Sequence, residues 1–498
     1  MTARPGSPAG VRWGTSAGRW VLVATVLGSG LVFLDGTSSN VALPAIDAEL
    51  GAGVTGLQWT INAYTLALAS LILLGGSLSD RFGRRRVFIL GTAWFAVASV
   101  LCGLAPTTEL LIVARALQGI GGALLTPGSL AIVQASFVPE HRARAVGAWS
   151  GLSGIAAAGG PLLGGWLVDV WTWRLIFLTN LPVALVVVIV AARHVPDGGG
   201  PHEQGRLDVV GAGLGALGLG LTTWALIELG EGAPSVAAWT AGAAGLLAIT
   251  AFVVAQRRRA HPMLPLELFT SRQFVGANLV TLLVYAVLGA VFFLLFLQLQ
   301  EVLGYSAMQA GAAVMPITGL LLVLSARAGA LTERVGPRLP MTAGPLLLAV
   351  GLLLLTRVDA GAGYVTAVLP AVTVLGLGLA LTVAPLTATA LSAVAPRHVG
   401  TASGVNNAIA RIGGLLAVAA LPPLAGIRGG ALQDAAAFSA GFSNAMVISA
   451  ALATAGALLG WTLIRAGADV PAPSAAPASH HHCALQAPPL SPPADHRS

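Results

Sequence analysis

Asp35 and Arg115 each interrupt a long apolar run. A charge at the depth of a hydrocarbon core costs roughly 2.5–3.5 kcal/mol on insertion scales, so a functional use is the default reading. Burial shifts a carboxyl group's proton affinity by units, far enough for Asp35 to load and release a proton near neutrality. The other reading is a helix-packing acid paired permanently with an arginine. Counted along their runs at 1.5 Å per residue, the two side chains differ in depth by only about 4–5 Å, within an arginine's reach. Arginine effectively never deprotonates, so Arg115 either biases a neighbouring acid or water or tethers backbone carbonyls. A third interior charge, Arg411, stands beside Asn406 and Asn407; substrate contact, gating and a structural hydrogen-bond role are all open to it. Asn40, Asn62, Tyr64, Gln118 and Gln300 are polar residues within apolar runs, candidates to line a cavity or to bridge helices.

A second group lies between runs, in Gly76-Ser77-Leu78-Ser79-Asp80-Arg81-Phe82-Gly83-Arg84-Arg85. Gly83 suits a turn with positive φ. Asp80, Arg81, Arg84 and Arg85 suit a gate, the arginines pairing with acids or helix C-termini in one state and releasing them in another; a solvated basic anchor is the bland alternative. The pattern returns as Gly329-Ala330-Leu331-Thr332-Glu333-Arg334-Val335-Gly336-Pro337-Arg338. A third group, Gly160, Pro161, Gly164 and Gly165, combines glycines that let helices approach with a proline that removes a helical hydrogen bond.

The elements that position these residues are read from hydropathy. Of 498 residues, 56% are hydrophobic and 9% charged, and mean hydropathy is +0.83; a water-soluble exterior needs more polar surface. Runs of about twenty apolar residues match ~30 Å of hydrocarbon. The sequence predicts an all-α integral membrane fold of fourteen helices: 20–43, 57–78, 87–105, 110–134, 145–169, 175–193, 207–228, 236–255, 274–298, 308–326, 338–356, 364–387, 401–424 and 442–464. The repeated signature, eight helices apart, divides these into a six-helix half (20–193), a linker with two inserted helices (194–256) and a second six-helix half (257–464), a plan that secondary transporters use to alternate access to a central site. Residues 1–19 form a polar leading segment, and a signal peptide is not indicated, because the apolar run that follows exceeds a typical h-region, carries Asp35 and is followed by more spans. Residues 465–498 are Pro-, Ala-, Ser- and His-rich and predicted to be disordered. Every basic residue is arginine, and arginines crowd the loops on one side; the positive-inside rule then puts both termini in the cytoplasm. Nucleic-acid binding is not indicated, because the arginines recur in short clusters between runs. Cys102 and Cys483 give no disulfide framework or zinc site, and His480-His481-His482-Cys483 reads as low-complexity tail before metal ligand.

The sequence resembles the major facilitator superfamily, specifically its fourteen-helix drug:proton antiporters, from about Trp20 to Arg465. The resemblance is carried by Gly76–Arg85, by Arg115-Ala116-Leu117-Gln118-Gly119-Ile120-Gly121, and by Gly159-Gly160-Pro161-Leu162-Leu163-Gly164-Gly165, which looks like the exporters' antiporter motif. It extends to Leu34-Asp35-Gly36-Thr37 with Asn40-Val41-Ala42-Leu43-Pro44, and to Trp173–Pro182 at the start of the sixth helix. Gly36 and the Ser38-Ser39 pair depart from the bulkier residues usual there, which implies a wider or more polar wall. The resemblance implies a monomeric, proton-driven exporter of small hydrophobic compounds such as antibiotics, in the cell membrane, with Asp35 and Arg115 coupling protons and no cofactor beyond the proton gradient. The alternative is a proton-coupled uptake permease for a nutrient, against which the antiporter motif argues. A membrane-embedded enzyme finds no metal cluster, nucleophile–base pair or phosphate loop in the sequence.

Overall fold

The computed structural model describes residues 10–196, 207–231, 235–259, 262–395, 398–428 and 430–465. Fourteen helices in it are long and apolar enough to cross a membrane: α1 (Ser16–Val41), α2 (Gly53–Phe82), α3 (Arg84–Gly103), α4 (Thr108–Ser136), α5 (Pro139–Val170), α6 (Arg174–His194), α7 (Val209–Glu228), α8 (Val236–Arg258), α9 (Arg272–Val302), α10 (Ala307–Val335), α11 (Arg338–Leu355), α12 (Tyr364–Ser392), α13 (Val399–Leu424) and α14 (Ala435–Leu463). Each matches one hydropathy run. Among the described residues the one extended pairing is an isolated bridge between Val11 and Phe137, beside which the Trp13 backbone N–H donates to His141 Nδ1 at 3.2 Å.

Three local features differ from the hydropathy reading. The gate signature is helical: α2 runs through Asp80 and Arg81 to Phe82, α3 starts at Arg84, and Gly83 alone turns the chain at φ 96°. Helical hydrogen bonds need no apolar side chains, so the helix outlasts the apolar run. The second copy behaves alike, with Gly336 at φ 78° closing α10; both angles belong to the left-handed region that glycine enters without penalty. The α1–α2 connection contains a short helix, Leu43–Leu50. Helix α6 is broken at Thr179 into Arg174–Leu178 and Asn180–His194; Pro182 has no N–H to offer the carbonyl four residues earlier.

Packing repeats with an offset of eight helices. In the first half α1 packs on α5 and α6, α4 on α2 and α3, and α3 on α6; in the second α9 packs on α13 and α14, α12 on α10 and α11, and α11 on α14. The inserted α7 and α8 form a hairpin whose α7 lies on both α2 and α13, one helix from each half. Asp208 caps α7 through the Gly211 N–H at 2.7 Å and accepts from Gln256 and Arg259, pinning the hairpin's two ends together.

The even number of crossings gives the bundle a face bearing the chain's first and last described residues, here the Gly83 face, and an opposite Gly51 face. The halves meet tightly at the Gly51 face. Gln58 Nε2 donates to the Val418 and Ala419 carbonyls at 2.7 and 3.2 Å, and Gln300 Nε2 to the Val41 carbonyl at 3.0 Å. Asp169, near the end of α5, caps the start of α10 by accepting from Ser306 Oγ and the Ala307 and Met308 N–H groups at 2.5, 3.0 and 2.9 Å. A Cβ on Gly165 would stand 2.4 Å from the Ala307 carbonyl oxygen, and one on Gly311 2.3 Å from that of Pro161. Toward the Gly83 face the glycines of these two helices make no such close contacts: a Cβ at Gly147, Gly151, Gly154 or Gly159 of α5, or at Gly319 or Gly329 of α10, would meet nothing within 4 Å. The α2–α13 seam stays closed farther down, to Leu73 against Gly404.

Candidate functional site

The site grows from α1. Asp35 is fully buried and accepts three hydrogen bonds: Oδ2 from Arg115 Nη1 at 2.5 Å, and Oδ1 from Gln118 Nε2 at 2.9 Å and Asn180 Nδ2 at 3.1 Å. Arg115 and Gln118 reach it because residues three apart on α4 share a face; Asn180 reaches it because the break at Thr179 restarts α6 there. Arg115 Nη1 also donates to Gln118 Oε1 at 2.5 Å, and its Nε to the Thr60 carbonyl at 3.1 Å. Its guanidinium lies 4.4 Å from the Tyr64 ring centre and 5.4 Å from that of Phe177. Ser99 Oγ accepts from Gln118 at 2.9 Å and Asn180 at 3.3 Å. All of the groups facing the two Asp35 oxygens are donors, which is the hydrogen-bond set of an ionised carboxylate. Burying a charge pair is tolerable only when the groups around it are also hydrogen-bonded, and here both Asp35 oxygens and the Arg115 Nη1 and Nε groups have partners.

Of the proposed coupling pair, then, both members are in contact. The polar residues read as cavity lining separate. Tyr64 and Gln118 are buried inside this network, because each contacts the Arg115 guanidinium. Asn62 is buried with neither amide atom hydrogen-bonded. Gln300 serves the Gly51-face seam described above. Asn40, whose Nδ2 donates to the Gly36 carbonyl at 3.1 Å, and Arg411 remain half-buried. Asn180 and Ser99 complete the site and were not singled out in the sequence; Asn180 lay in plain view in the stretch Trp173–Pro182, and Ser99 carries no signal that distinguishes it from other serines in apolar runs.

The α1–α5 contact is built from the glycine–proline group. A Cβ at Gly160 would stand 2.0 Å from Thr37 Oγ1, and one at Gly164 2.7 Å from Ser38 Cβ. Pro161 leaves the Ala157 carbonyl without its helical N–H donor, and Thr37 Oγ1 lies 3.1 Å from that oxygen as a substitute. Ser38 therefore lets the helices close rather than widening the wall; Gly36 alone faces open space.

In the gate signature Asp80 accepts from Arg84 Nε at 3.3 Å and Nη2 at 3.2 Å, and Arg84 Nη1 donates to the Ala131 carbonyl at 3.4 Å. Arg85 donates to the Ala192 carbonyl in the last turn of α6, and Arg81 stacks 5.5 Å over Phe82. Of these arginines Arg85 reaches a carbonyl in the last turn of a helix, whereas Ala131 lies inside α4, and the partners named here all belong to the first half. The tight glycine is Gly75, whose Cβ would stand 2.2 Å from the Ala123 carbonyl oxygen, whereas Gly76 has 3.9 Å to Pro127. The His480–Cys483 stretch lies outside the described residues.

The model of the Major Facilitator Superfamily matches residues 25–418. The chain is 38% identical over 408 residues to the puromycin resistance protein of Streptomyces alboniger, covering 81% of this chain and 80% of that protein. It is 37% identical over 422 residues to a cephamycin export protein of Amycolatopsis lactamdurans, covering 83% and 86%. In fold it is similar to a bacterial homologue of the human lysosomal transporter Spinster, solved in an inward-facing, unoccupied conformation, with a TM-score of 0.63 at 19% identity over 92% of this chain and 97% of that one.

Proposed function

Because the chain belongs to the Major Facilitator Superfamily, we propose that it is a transporter that exports small hydrophobic compounds, of the antibiotic or multidrug kind, against the inward flow of protons. The relatives named for resistance and export support the direction of transport. The observation that carries the coupling is the fully buried Asp35, whose two oxygens are met by Arg115, Gln118 and Asn180. We assign the Gly83 face, where most loop arginines gather, to the cytoplasm by the positive-inside rule, and read the protein as one of the cell membrane with both ends inside. It works as a monomer of two six-helix halves, with the proton gradient as its energy source and no cofactor.

The proposed cycle begins at Asp35. Asp35 has the contacts of its ionised form, and we read this state as one that has released its proton inward and is ready for substrate. The halves then rock, the seam parts outward, substrate leaves, and Asp35 takes a proton from outside. Protonation cancels the charge that Arg115 holds, so the two states differ in the strength of one buried pair. Arg115 acts as an unchanging cation that sets what Asp35 gains by ionising. The test is proton release by purified protein in weak buffer on addition of a transported dye, wild type against Asp35→Asn. Release is expected from the wild type alone; equal release from both would place the coupling proton elsewhere.

A further inference from the structure

Arg411 is the interior charge that the coupling scheme leaves unused. It sits at the midpoint of α13, twelve residues from Val399 and thirteen from Leu424, where an ion is most costly to hold. Arg115, the comparable cation of the first half, meets a carboxylate, an amide oxygen and a backbone carbonyl. Arg411 has none of these: among the described residues its contact is the Phe33 ring, 6.0 Å from the guanidinium. Tyr64 of α2 and Tyr285 of α9 lie within its electrostatic reach. The nearest interior acid along α1, Asp35, is already saturated by three donors. Gly413 packs α13 so closely on α9 that a Cβ would stand 2.4 Å from the Leu282 carbonyl oxygen, which fixes the helix that carries the guanidinium. Arg411, Phe33 and Tyr285 are all half-buried, so the group is reachable and not sealed away. Asn407, one turn earlier on the same face of α13, is half-buried too.

A guanidinium held in a low-dielectric interior without a counter-charge is an incomplete ion pair, and the missing half is an anion. We propose that Arg411 receives the anionic group of the transported compound, and that the substrates are therefore amphipathic organic anions whose apolar ring systems lie against Phe33 and Tyr285. This rests on the export reading and narrows it to a substrate class. It also separates the two charges of the cycle: Asp35 and Arg115 in the first half respond to the proton, and Arg411 in the second half responds to the cargo.

Two dyes with the same xanthene ring and opposite charge test this, fluorescein as the anion and rhodamine 123 as the cation. Each is titrated by fluorescence anisotropy into purified full-length protein in lipid nanodiscs at neutral pH. Wild type is expected to bind fluorescein, Arg411→Gln to weaken that binding by about tenfold or more, and Arg411→Lys to recover part of the loss. Rhodamine 123 should bind Arg411→Gln at least as well as wild type. Equal weakening of both dyes would mark Arg411 as a structural residue and overturn the proposal. So would fluorescein binding that is indifferent to Arg411→Gln, or a wild type that binds rhodamine 123 alone. Dye movement in proteoliposomes under a pH gradient reads the export assignment separately. Export without an Arg411-dependent preference for the anion sinks the charge assignment alone. Arg411-dependent fluorescein binding with no transport sinks the export reading alone.

Discussion

The two six-helix halves pack by one plan and bury different chemistry. Where α1 and α4 of the first half hold Asp35 against Arg115, their counterparts α9 and α12 hold no charge: α12 has no ionisable acid or base along Tyr364–Ser392 but its tyrosine, and α9 carries Arg272 and Glu301 only near its ends. The second half has a neutral network instead, in which Asn406 Nδ2 donates to Asn278 Oδ1 at 3.1 Å and Thr281 Oγ1 at 2.8 Å. Small residues and helix order set the packing, and those are shared. On the proposed cycle one proton-responsive charge pair suffices, and a second would add its desolvation cost without adding to the stroke. The first half thus buries a charge pair, and the second a neutral network beside Arg411, which has no ion pair among the described residues.

The largest effect should come from making the first half as neutral as the second. Asp35→Asn keeps the shape and removes the titration, so transport driven by a pH gradient should fall to background. Exchange of labelled dye at equal concentrations on both sides needs no net proton movement and should survive. Both are read in proteoliposomes; gradient-driven transport retained by Asp35→Asn would erase the distinction between the halves. Arg115→Lys keeps the charge and loses the planar fork that spans Asp35, Gln118 and Thr60, so partial impairment is expected.

An effect of the second rank separates the two networks. Asn180→Ala deletes one of three donors to a buried carboxylate. Such bonds are worth about 1.5–3 kcal/mol, so the initial rate of gradient-driven export should drop by roughly tenfold. Asn406→Ala removes bonds of neutral groups and should lower the thermal unfolding midpoint while leaving the ratio of protons to substrate unchanged. If Asn406→Ala uncouples transport and Asn180→Ala does not, the roles assigned to the halves are reversed.

The two gate copies offer a third comparison. Asp80 is paired with Arg84 across the Gly83 turn, whereas among the described residues Glu333 shows no ion pair. Asp80→Asn should slow transport several-fold in normally expressed protein, and Glu333→Gln should slow it less. Initial export rates at matched protein levels decide it, and equal losses would mean that both copies gate.

How much of this was legible depended on whether a residue's role is local. All fourteen spans follow from runs of apolar residues, and the duplicated signature gave the eight-helix offset, because both are properties of contiguous sequence. Asp35 and Arg115 were legible because a charge in hydrocarbon demands a partner. Asn180 and Ser99 were not, since an amide or hydroxyl in a membrane helix is cheap enough to need no special account; only the break at Thr179, set by Pro182, aims Asn180 at Asp35. Tyr64 and Gln118 were read as cavity lining because polarity was visible and direction was not. Thr37 serving the carbonyl freed by Pro161 joins residues more than a hundred positions apart, a distance over which no periodicity speaks.

The smallest effect concerns a pair at the Gly51 face that belongs to the first half alone. Glu49 of the short helix accepts from Arg174 Nη2 at 2.7 Å and from Trp173 Nε1 at 2.6 Å. Arg174 in turn donates to the Ala105 carbonyl at 2.6 Å and lies 4.4 Å over the Trp173 ring. The contact ties the α1–α2 connection to the ends of α3 and α6, and so to the stretch that presents Asn180. The Arg174 hydrogen bond, seconded by that from Trp173, holds the Glu49 carboxyl below the usual glutamate range against a partial opposing effect of burial. A carboxyl lowered in the folded state contributes stability that is complete above its unfolded value and is lost as pH falls through the folded one. The glutamate side chain is 47% exposed, and pairs of that kind are worth about 0.2–1 kcal/mol. Glu49→Gln should therefore lower the unfolding midpoint by no more than about 1–2 °C at neutral pH. The gap between wild type and variant should persist through the usual glutamate range and close only as pH falls through the lowered value of the folded state, where protonation makes the wild type resemble the variant. Unfolding scans of purified protein across that range provide the measurement. A gap that does not narrow on acidification would mean that the short helix is held by packing and not by this charge, and the two halves would then differ at this face in shape alone.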